Sequence, residues 1–390
     1  MSRRNKPGMG MVLLIIVGGL WPAVARAGGD YDGDGDVDLG DFAAFPACCA
    51  GPAGGLPTGC AALDFDDDND VDIADFAGLQ RIFGTSAPAG MVHVPGGEFQ
   101  MGDTFAEGHP DEWPVHAVFV DAFYLDTREV TNAQYATALN WAWTQGGLIE
   151  LSAGAVIQAG SGDWCPYCDT TISHGRSQIT WDGNLFGVVT GREDHPMLLV
   201  SWYGAAAYCN WRSAMEGRPL CFDPVTWTCD FGAAGYRLPT EAEWEKGARG
   251  GTPEHRFPWS DVDTIQHSRA DYRSFSLYLY DTSPTRGFHP LFSTGVMPYT
   301  SPVGYFAANG YGLYDMAGNA EEWCYDGYSS TYYSESPWAN PIGMEDNDTR
   351  LLRGGSWASF ANSCRSAHRD KYSASNRDPI TGFRRALRAP

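Results

Sequence analysis

RLPTEAEW, residues 237–244, is the segment of this 390-residue chain that says most about its fold. Thr240 and Glu243 are spaced as a capping box, in which each side chain bonds the backbone N–H of the other residue, and Pro239 precedes them. The segment therefore predicts the first turn of a helix. Three shorter motifs follow in the order GNAEEW at 318–323, RGGSW at 353–357 and GFR at 382–384.

Two further helices and a hairpin are predicted upstream of that segment. Thr131 and Gln134 form another capping box, which predicts a helix over about 132–143. Ser201 is suited to cap a second helix. In MVHVPGGEFQMGD, residues 91–103, apolar residues flank a Pro-Gly-Gly turn, which predicts a β-hairpin.

The last third of the chain is poor in periodic apolar runs. Residues 250–390 are rich in Gly, Trp, Tyr, Asn and Pro, a composition that predicts few helices, short strands and long ordered loops. With 14 Trp and an aromatic content of 13%, the chain can still form a substantial core. The predicted fold class is α+β with little regular secondary structure.

The N-terminus has the features of an export signal. A basic start, a short apolar run and Ala-Arg-Ala at 25–27 predict a signal peptide over 1–27. No later segment is apolar enough to span a bilayer, so we expect an exported protein that is secreted, periplasmic or at the cell surface. A net charge of −22 argues against nucleic acid and anionic membranes as partners.

Two acidic stretches follow, DYDGDGDVDLGD at 30–41 and DFDDDNDVDIAD at 64–75. Each places Asp at positions 1, 3, 5, 9 and 12, with Gly35 or Asn69 at the turn position 6. Ca²⁺ takes roughly six to eight oxygen ligands, and this spacing wraps carboxylates around one point. The predicted calcium ligands are Asp30, Asp32, Asp34, Asp38, Asp41, Asp64, Asp66, Asp68, Asp72 and Asp75.

The four motifs together resemble the formylglycine-generating enzymes, or sulfatase-modifying factors, over about residues 91–389. The resemblance implies a C-type-lectin-like α+β domain over 91–390. The duplicated Asp loops resemble dockerin type I modules, which implies a small α-helical, EF-hand-like unit over 28–84 and a linker at 85–90. The dockerin resemblance also implies a cohesin-like domain or another extracellular protein as partner.

The family resemblance further implies a calcium site in the large domain. The segment LYDMAGNAEEW is similar to a calcium-binding segment of the family. Asp315 and Glu322 would supply carboxylates, and Gly318 and Ala320 would supply backbone carbonyl oxygens. The alternative is a turn whose polar side chains satisfy their own backbone.

The chemistry of the family depends on two cysteines that follow the GGSW-like segment. Active members bind Cu(I) between these thiolates and oxidise a substrate cysteine to formylglycine, and here the matching positions are Ser359 and Cys364. A soft d¹⁰ ion prefers thiolates, and a neutral serine hydroxyl cannot replace one. The first position therefore lacks the expected copper ligand.

Most of the ten cysteines of an exported chain are expected to be paired. Cys221 and Cys229 close the insert CFDPVTWTC and are candidates for a disulfide. Cys165 and Cys168 form CPYC, which suits a disulfide, a redox pair or half of a zinc site. In secretory family members the cysteine matching Cys209 bonds a cysteine after GFR, whose place is taken here by arginine, so Cys209 is expected to be a buried thiol.

These observations leave three functions open. The first is a family member without oxidase chemistry that binds a peptide or a glycan. Its pocket would be formed by Trp357, Arg369, Tyr372 and Arg377. The second is a copper-dependent formylglycine-generating oxidase that acts on exported sulfatases. The third is a structural component of an extracellular complex, attached through its calcium loops.

Overall fold

The N-terminal part of the structure is a short helix fastened by a disulfide. The computed structural model describes residues 39–49, 55–64, 70–72, 75–76, 87–252, 254–344 and 348–389. Helix α1 (Leu39–Cys48) is followed by a 3₁₀ turn at Ala61–Leu63. A disulfide joins Cys48 to Cys60, and both residues pack with Phe45 in a small core.

Several predictions for the N-terminus fall outside the described residues. They are the signal peptide at 1–27 and the ligands Asp30, Asp32, Asp34, Asp38, Asp66 and Asp68. In the ranges that the structure covers, no helix is both long and apolar enough to cross a membrane.

The three helices of the large region begin where the capping residues predict. They are α2 (Asn132–Gln145), α3 (Trp202–Met215) and α4 (Glu241–Arg249). Reciprocal capping boxes are formed at the starts of α2 and α4, and Ser201 Oγ accepts a hydrogen bond from the Gly204 N–H at the start of α3. Each bond satisfies a backbone donor that has no partner within the helix. The predicted helix starts are therefore confirmed.

The strands are short and form five small sheets. They are β1 (Met91–Val94), β2 (Gly97–Met101), β3 (His116–Val120), β4 (Phe123–Asp126), β5 (Ile149–Ser152), β6 (Ala155–Gln158), β7 (Pro166–Asp169), β8 (Ile179–Trp181), β9 (Phe186–Val188), β10 (Tyr236–Arg237), β11 (Glu321–Gly327), β12 (Thr349–Arg353), β13 (Asp370–Ser373), β14 (Thr381–Gly382) and β15 (Ala386–Arg388). One four-stranded sheet has the order β1-β4-β15-β10, and the other has the order β13-β12-β11-β14. Mixed helices and strands with long connecting loops agree with the predicted α+β class.

The hairpin predicted for residues 91–103 is wrong. Both strands form, but β1 pairs with β4, whereas β2 pairs with β3. The Pro-Gly-Gly segment passes the chain from one sheet to the other, and a Cβ at Gly96 would lie 2.9 Å from the backbone nitrogen of Ala122. Glycine is required there by this close approach and does not mark a hairpin turn.

Candidate functional site

Helix α4 lies at the centre of a buried network of ion pairs. Glu245 accepts hydrogen bonds from Arg353 and Arg249, and Glu241 accepts two from Arg369 at 2.6 and 3.0 Å. Arg353 also donates to three backbone carbonyls at 366–368, at 2.8 to 3.0 Å. Burial alone would lower the pKa of Arg353, but the neighbouring Tyr333, Glu245 and Glu241 raise it above the usual range.

The same helix carries the contact that joins the remaining motifs. Trp244 Nε1 donates to Glu322 at 2.9 Å, and Glu322 forms a bidentate ion pair with Arg384 at 2.6 Å for both bonds. Arg353 Cζ lies 5.4 Å from the centre of the Trp244 ring. RLPTEAEW, GNAEEW, RGGSW and GFR thus meet in one place. The charged residues of these motifs therefore pair with one another inside the fold.

The calcium ligands predicted for the large domain are only partly suited to an ion. Both carboxylate oxygens of Glu322 already accept hydrogen bonds, from Arg384 and Trp244. The Arg384 guanidinium therefore occupies the position expected for calcium next to Glu322. Asp315 keeps one buried oxygen without a hydrogen-bond partner, and burial raises the pKa of its carboxyl group to about 6. Gly318 is required by packing, because a Cβ there would lie 2.2 Å from the carbonyl oxygen of Asp271. The predicted set does not fit a calcium ion in this arrangement.

A third carboxylate in this region was not predicted from the sequence. Glu129 accepts hydrogen bonds from Asn319 Nδ2 at 3.0 Å and from the Ala320 N–H at 3.1 Å. Burial, followed by the charges of Asp315 and Glu322, raises the pKa of Glu129 well above its usual range. Glu129 lies three residues before the predicted helix and belongs to none of the four motifs, so no spacing signal marks it.

Ser359 belongs to a turn of its own residues. Its Oγ accepts a hydrogen bond from the Ser356 N–H at 3.0 Å and lies 2.9 Å from Ser356 Oγ. Its carbonyl oxygen accepts from the Arg273 N–H at 2.8 Å. The side chain at the first cysteine position of the family is therefore a neutral hydroxyl that holds the backbone turn.

Cys364 lies at the end of a 3₁₀ turn at Ala361–Cys364 and is completely buried. It packs in a cluster with Phe257, Ile265 and Tyr272, and its thiol lies 3.6 Å from the carbonyl oxygen of Phe360. Burial, with a smaller effect of nearby carboxylates, raises the pKa of this thiol well above its usual range. A buried neutral thiol is a poor nucleophile and a poor ligand, because both roles need the thiolate.

The predicted pocket of Trp357, Arg369, Tyr372 and Arg377 is not assembled. Arg369 is buried in the ion network around Glu241, and Arg377 pairs with Asp169 at 3.4 Å. Tyr372 lies on β13, opposite Arg350 of β12. Arg369 and Arg377 are thus engaged in two separate ion pairs. Arg369 differs most from the prediction, because its ion pair with Glu241 holds its side chain in the interior.

Trp357 is the one member of that set that lies beside Ser359. It is 3% exposed, and its Nε1 donates to the carbonyl oxygen of Pro379 at 3.0 Å. Phe288 and Tyr299 pack against it with ring centres 5.6 and 5.5 Å away. Trp357 therefore forms the floor of an aromatic surface next to Ser359.

The described part of the N-terminal acidic stretch brings three carboxylates together. Oxygens of Asp70, Asp72 and Asp75 lie within 4.8 Å of one another, and the Asp72 N–H donates to Asp75 at 2.7 Å. Asp72 and Asp75 belong to the predicted calcium set, whereas Asp70 was not included. Asp41 is buried and Asp64 is partly buried.

The predicted disulfides are not formed in the structure. Cys165 and Cys168 flank the ends of an extended segment, and their thiols contact different groups, Trp227 and Tyr135. The CPYC disulfide stays a prediction.

The second candidate pair is closer to forming a bond. The thiols of Cys221 and Cys229 are in hydrogen-bond contact, so their oxidation to a disulfide stays a prediction. Cys209 is a buried thiol beside Arg385, as predicted.

Comparison with known proteins agrees with the motifs. Residues 81–389 match the Sulfatase-modifying factor enzyme 1-like domain. The formylglycine-generating enzyme of Streptomyces coelicolor is 33% identical over 313 residues, which cover 76% of this chain and 88% of that protein. The enzyme of Bos taurus is 31% identical over 77% of this chain and 75% of that protein.

The structural neighbours are more distant. Treponema denticola variable protein 1 superimposes with a TM-score of 0.52 at 23% identity, covering 76% of this chain and 94% of that chain. This likeness concerns the fold alone. On its four motifs, its α+β structure and the match over 81–389, the chain belongs to the sulfatase-modifying factor, or formylglycine-generating enzyme, family.

Proposed function

We propose that this protein is an exported, calcium-binding member of its family that binds a ligand and does not carry out the two-cysteine oxidation. The observation that carries the proposal is the state of the two cysteine positions. Ser359 is a neutral hydroxyl bonded to Ser356, and Cys364 is a buried thiol within a cluster of apolar side chains.

The side chains of Ser359 and Cys364 explain why Cu(I) would not be bound at these two positions. Cu(I) supplies oxygen chemistry in active relatives only when two soft thiolate ligands bind it. Here one ligand is hard and neutral. The other would have to lose its proton in a site where burial favours the neutral thiol. No part of a copper-dependent reaction is therefore assigned to these residues.

The alternative function is a formylglycine-generating oxidase that converts a sulfatase cysteine. It is favoured by the names of the similar proteins from Streptomyces coelicolor and Bos taurus. Fold similarity does not transfer chemistry unless the reacting groups are also present. A structural role in an extracellular complex, through the N-terminal loops and a cohesin-like partner, is the third possibility.

We predict that the purified protein gives no aldehyde product. It would be incubated with Cu(I), oxygen and a peptide containing Cys-X-Pro-X-Arg, and the peptide mass and aldehyde labelling would be followed. The Streptomyces coelicolor relative serves as the positive control. Aldehyde formation that disappears in Cys364→Ala would reject the binding function and establish the oxidase.

Calcium binding is proposed for the N-terminal stretch. The support is the close approach of Asp70, Asp72 and Asp75, since clustered carboxylates repel one another unless a cation neutralises them.

We predict that Asp75→Asn weakens calcium binding to the full chain by about tenfold or more, as measured by isothermal titration. Asp182→Asn, which changes an exposed carboxylate in the large region, should have no effect. A wild-type protein that takes up no calcium would show that the Asp pattern is a solvated surface.

A further inference from the structure

Arg273 lies beside Ser359 with its guanidinium group between two aromatic rings. Its Cζ atom is 5.1 Å from the centre of the Phe288 ring and 5.2 Å from that of Phe360. The Arg273 N–H bonds the Ser359 carbonyl oxygen, so the backbone is fixed to the same turn. The side chain is nevertheless exposed. Arg273 is therefore a positioned cation at the edge of the surface where the family carries its first cysteine.

The Arg273 guanidinium contacts aromatic rings and differs in this from the arginines near it in the sequence, which pair with carboxylates. Its neighbours Arg269 and Arg286 pair with Asp261 and Asp281. Among the residues that the structure describes, the Arg273 guanidinium contacts the Phe288 and Phe360 rings and forms no ion pair. Aromatic rings on both sides reduce the freedom of the guanidinium, so that less entropy is lost when its planar fork binds a carboxylate. The arrangement suits a bidentate bond to an anionic group.

Apolar side chains continue from this cation along the same loop. Phe275 is 46% exposed and stacks 5.3 Å from Phe360, while Leu277 and Leu279 are 68% and 95% exposed. Tyr278 also approaches Phe360, with ring centres 6.5 Å apart. Three large apolar side chains exposed within five residues of one loop are unusual for a surface without a partner.

We propose that Arg273 and the exposed side chains of Phe275, Leu277 and Leu279 bind a peptide segment in which a carboxylate is followed by apolar side chains. The inference rests on the proposed binding function and names its ligand class. Exposed aliphatic side chains favour a peptide with apolar side chains over a hydroxyl-rich glycan. One fixed cation followed by an apolar row complements one acid followed by apolar residues.

The test uses fluorescein-labelled octapeptide pools and the full-length protein. One pool has Glu at a fixed position and Leu or Phe two and four residues later, and a matched pool has Gln in place of Glu. We expect fluorescence polarisation to show binding of the Glu pool and about tenfold weaker binding of the Gln pool. Arg273→Gln should weaken binding of the Glu pool about tenfold or more. Arg273→Lys should have an intermediate effect, because lysine keeps the positive charge but cannot form the two parallel hydrogen bonds of a guanidinium.

Arg269→Gln is the matched control. Arg269 also lies over an aromatic ring, 5.3 Å from Trp259, but its guanidinium is paired with Asp261. It lines a separate cavity of about 530 Å³, so binding there would respond to Arg269→Gln instead. Equal affinity for both pools, no binding of either, or no effect of Arg273→Gln would overturn the proposal. Binding of heparin fragments that depends on Arg273 would overturn the choice of peptide. Aldehyde formation, by contrast, would reject the binding function itself.

Discussion

Arg353→Met is expected to lower the free energy of unfolding by roughly 3–5 kcal/mol. The Arg353 side chain is completely buried and bonds Glu245 and three backbone carbonyls. Methionine fills a similar volume but leaves these carbonyls without donors, and it removes one of the two cations at Glu245. Urea unfolding followed by tryptophan fluorescence measures the loss, and Arg353→Lys should recover part of it.

The control is an arginine whose ion pair is exposed. Arg212 in the last turn of α3 bonds Glu216, the residue that follows the helix, at 2.6 Å, and both side chains remain partly exposed. Such helix pairs contribute about 0.3–0.5 kcal/mol, because water competes for both charges. Arg212→Met should therefore change stability by less than about 1 kcal/mol. Similar losses in the two variants would mean that the buried network is not what stabilises the fold.

Local sequence signals predicted the helices well because capping depends on residues close in the chain. Thr131 with Gln134, and Thr240 with Glu243, form the expected bonds. The hairpin at 91–103 failed because strand partners are chosen by the whole sheet, and β1 finds β4 instead of β2. Turn residues alone cannot distinguish a hairpin from a crossing between sheets.

From the sequence, the chemistry of the candidate site could be predicted only where one residue type determines it. Serine at position 359 already excludes a thiolate there. The clamp around Arg273 was not predicted, because Phe288 and Phe360 reach it from loops distant in sequence. Arg369 was assigned to a pocket as part of a C-terminal segment rich in aromatic residues and arginine. Its burial depends on Glu241, which lies 128 positions away in the chain.

Glu322→Gln is expected to destabilise the large domain by about 3 kcal/mol, with the same loss in calcium and in chelator. Glutamine keeps an acceptor for Trp244 Nε1 but removes the charge that pairs with the buried Arg384. Glu129 and Asp315 also interact with Arg384, so part of its charge stays compensated and the loss should lie at the lower end for a broken buried pair. If Glu322 instead held calcium with Asp315, Gly318 and Ala320, its removal would matter only when calcium is present.

Thermal unfolding of wild type and variant, each with calcium and with EGTA, separates these two cases. Any effect of calcium on the N-terminal loops cancels, because the compared quantity is the change in melting temperature that the substitution causes under each condition. The double variant Glu322→Gln with Arg384→Gln should lose less stability than the sum of the single changes, since the second substitution removes the unpaired charge left by the first. A change in melting temperature that appears in calcium and not in EGTA would support the calcium site. It would mean that Glu322 binds the ion in place of Arg384.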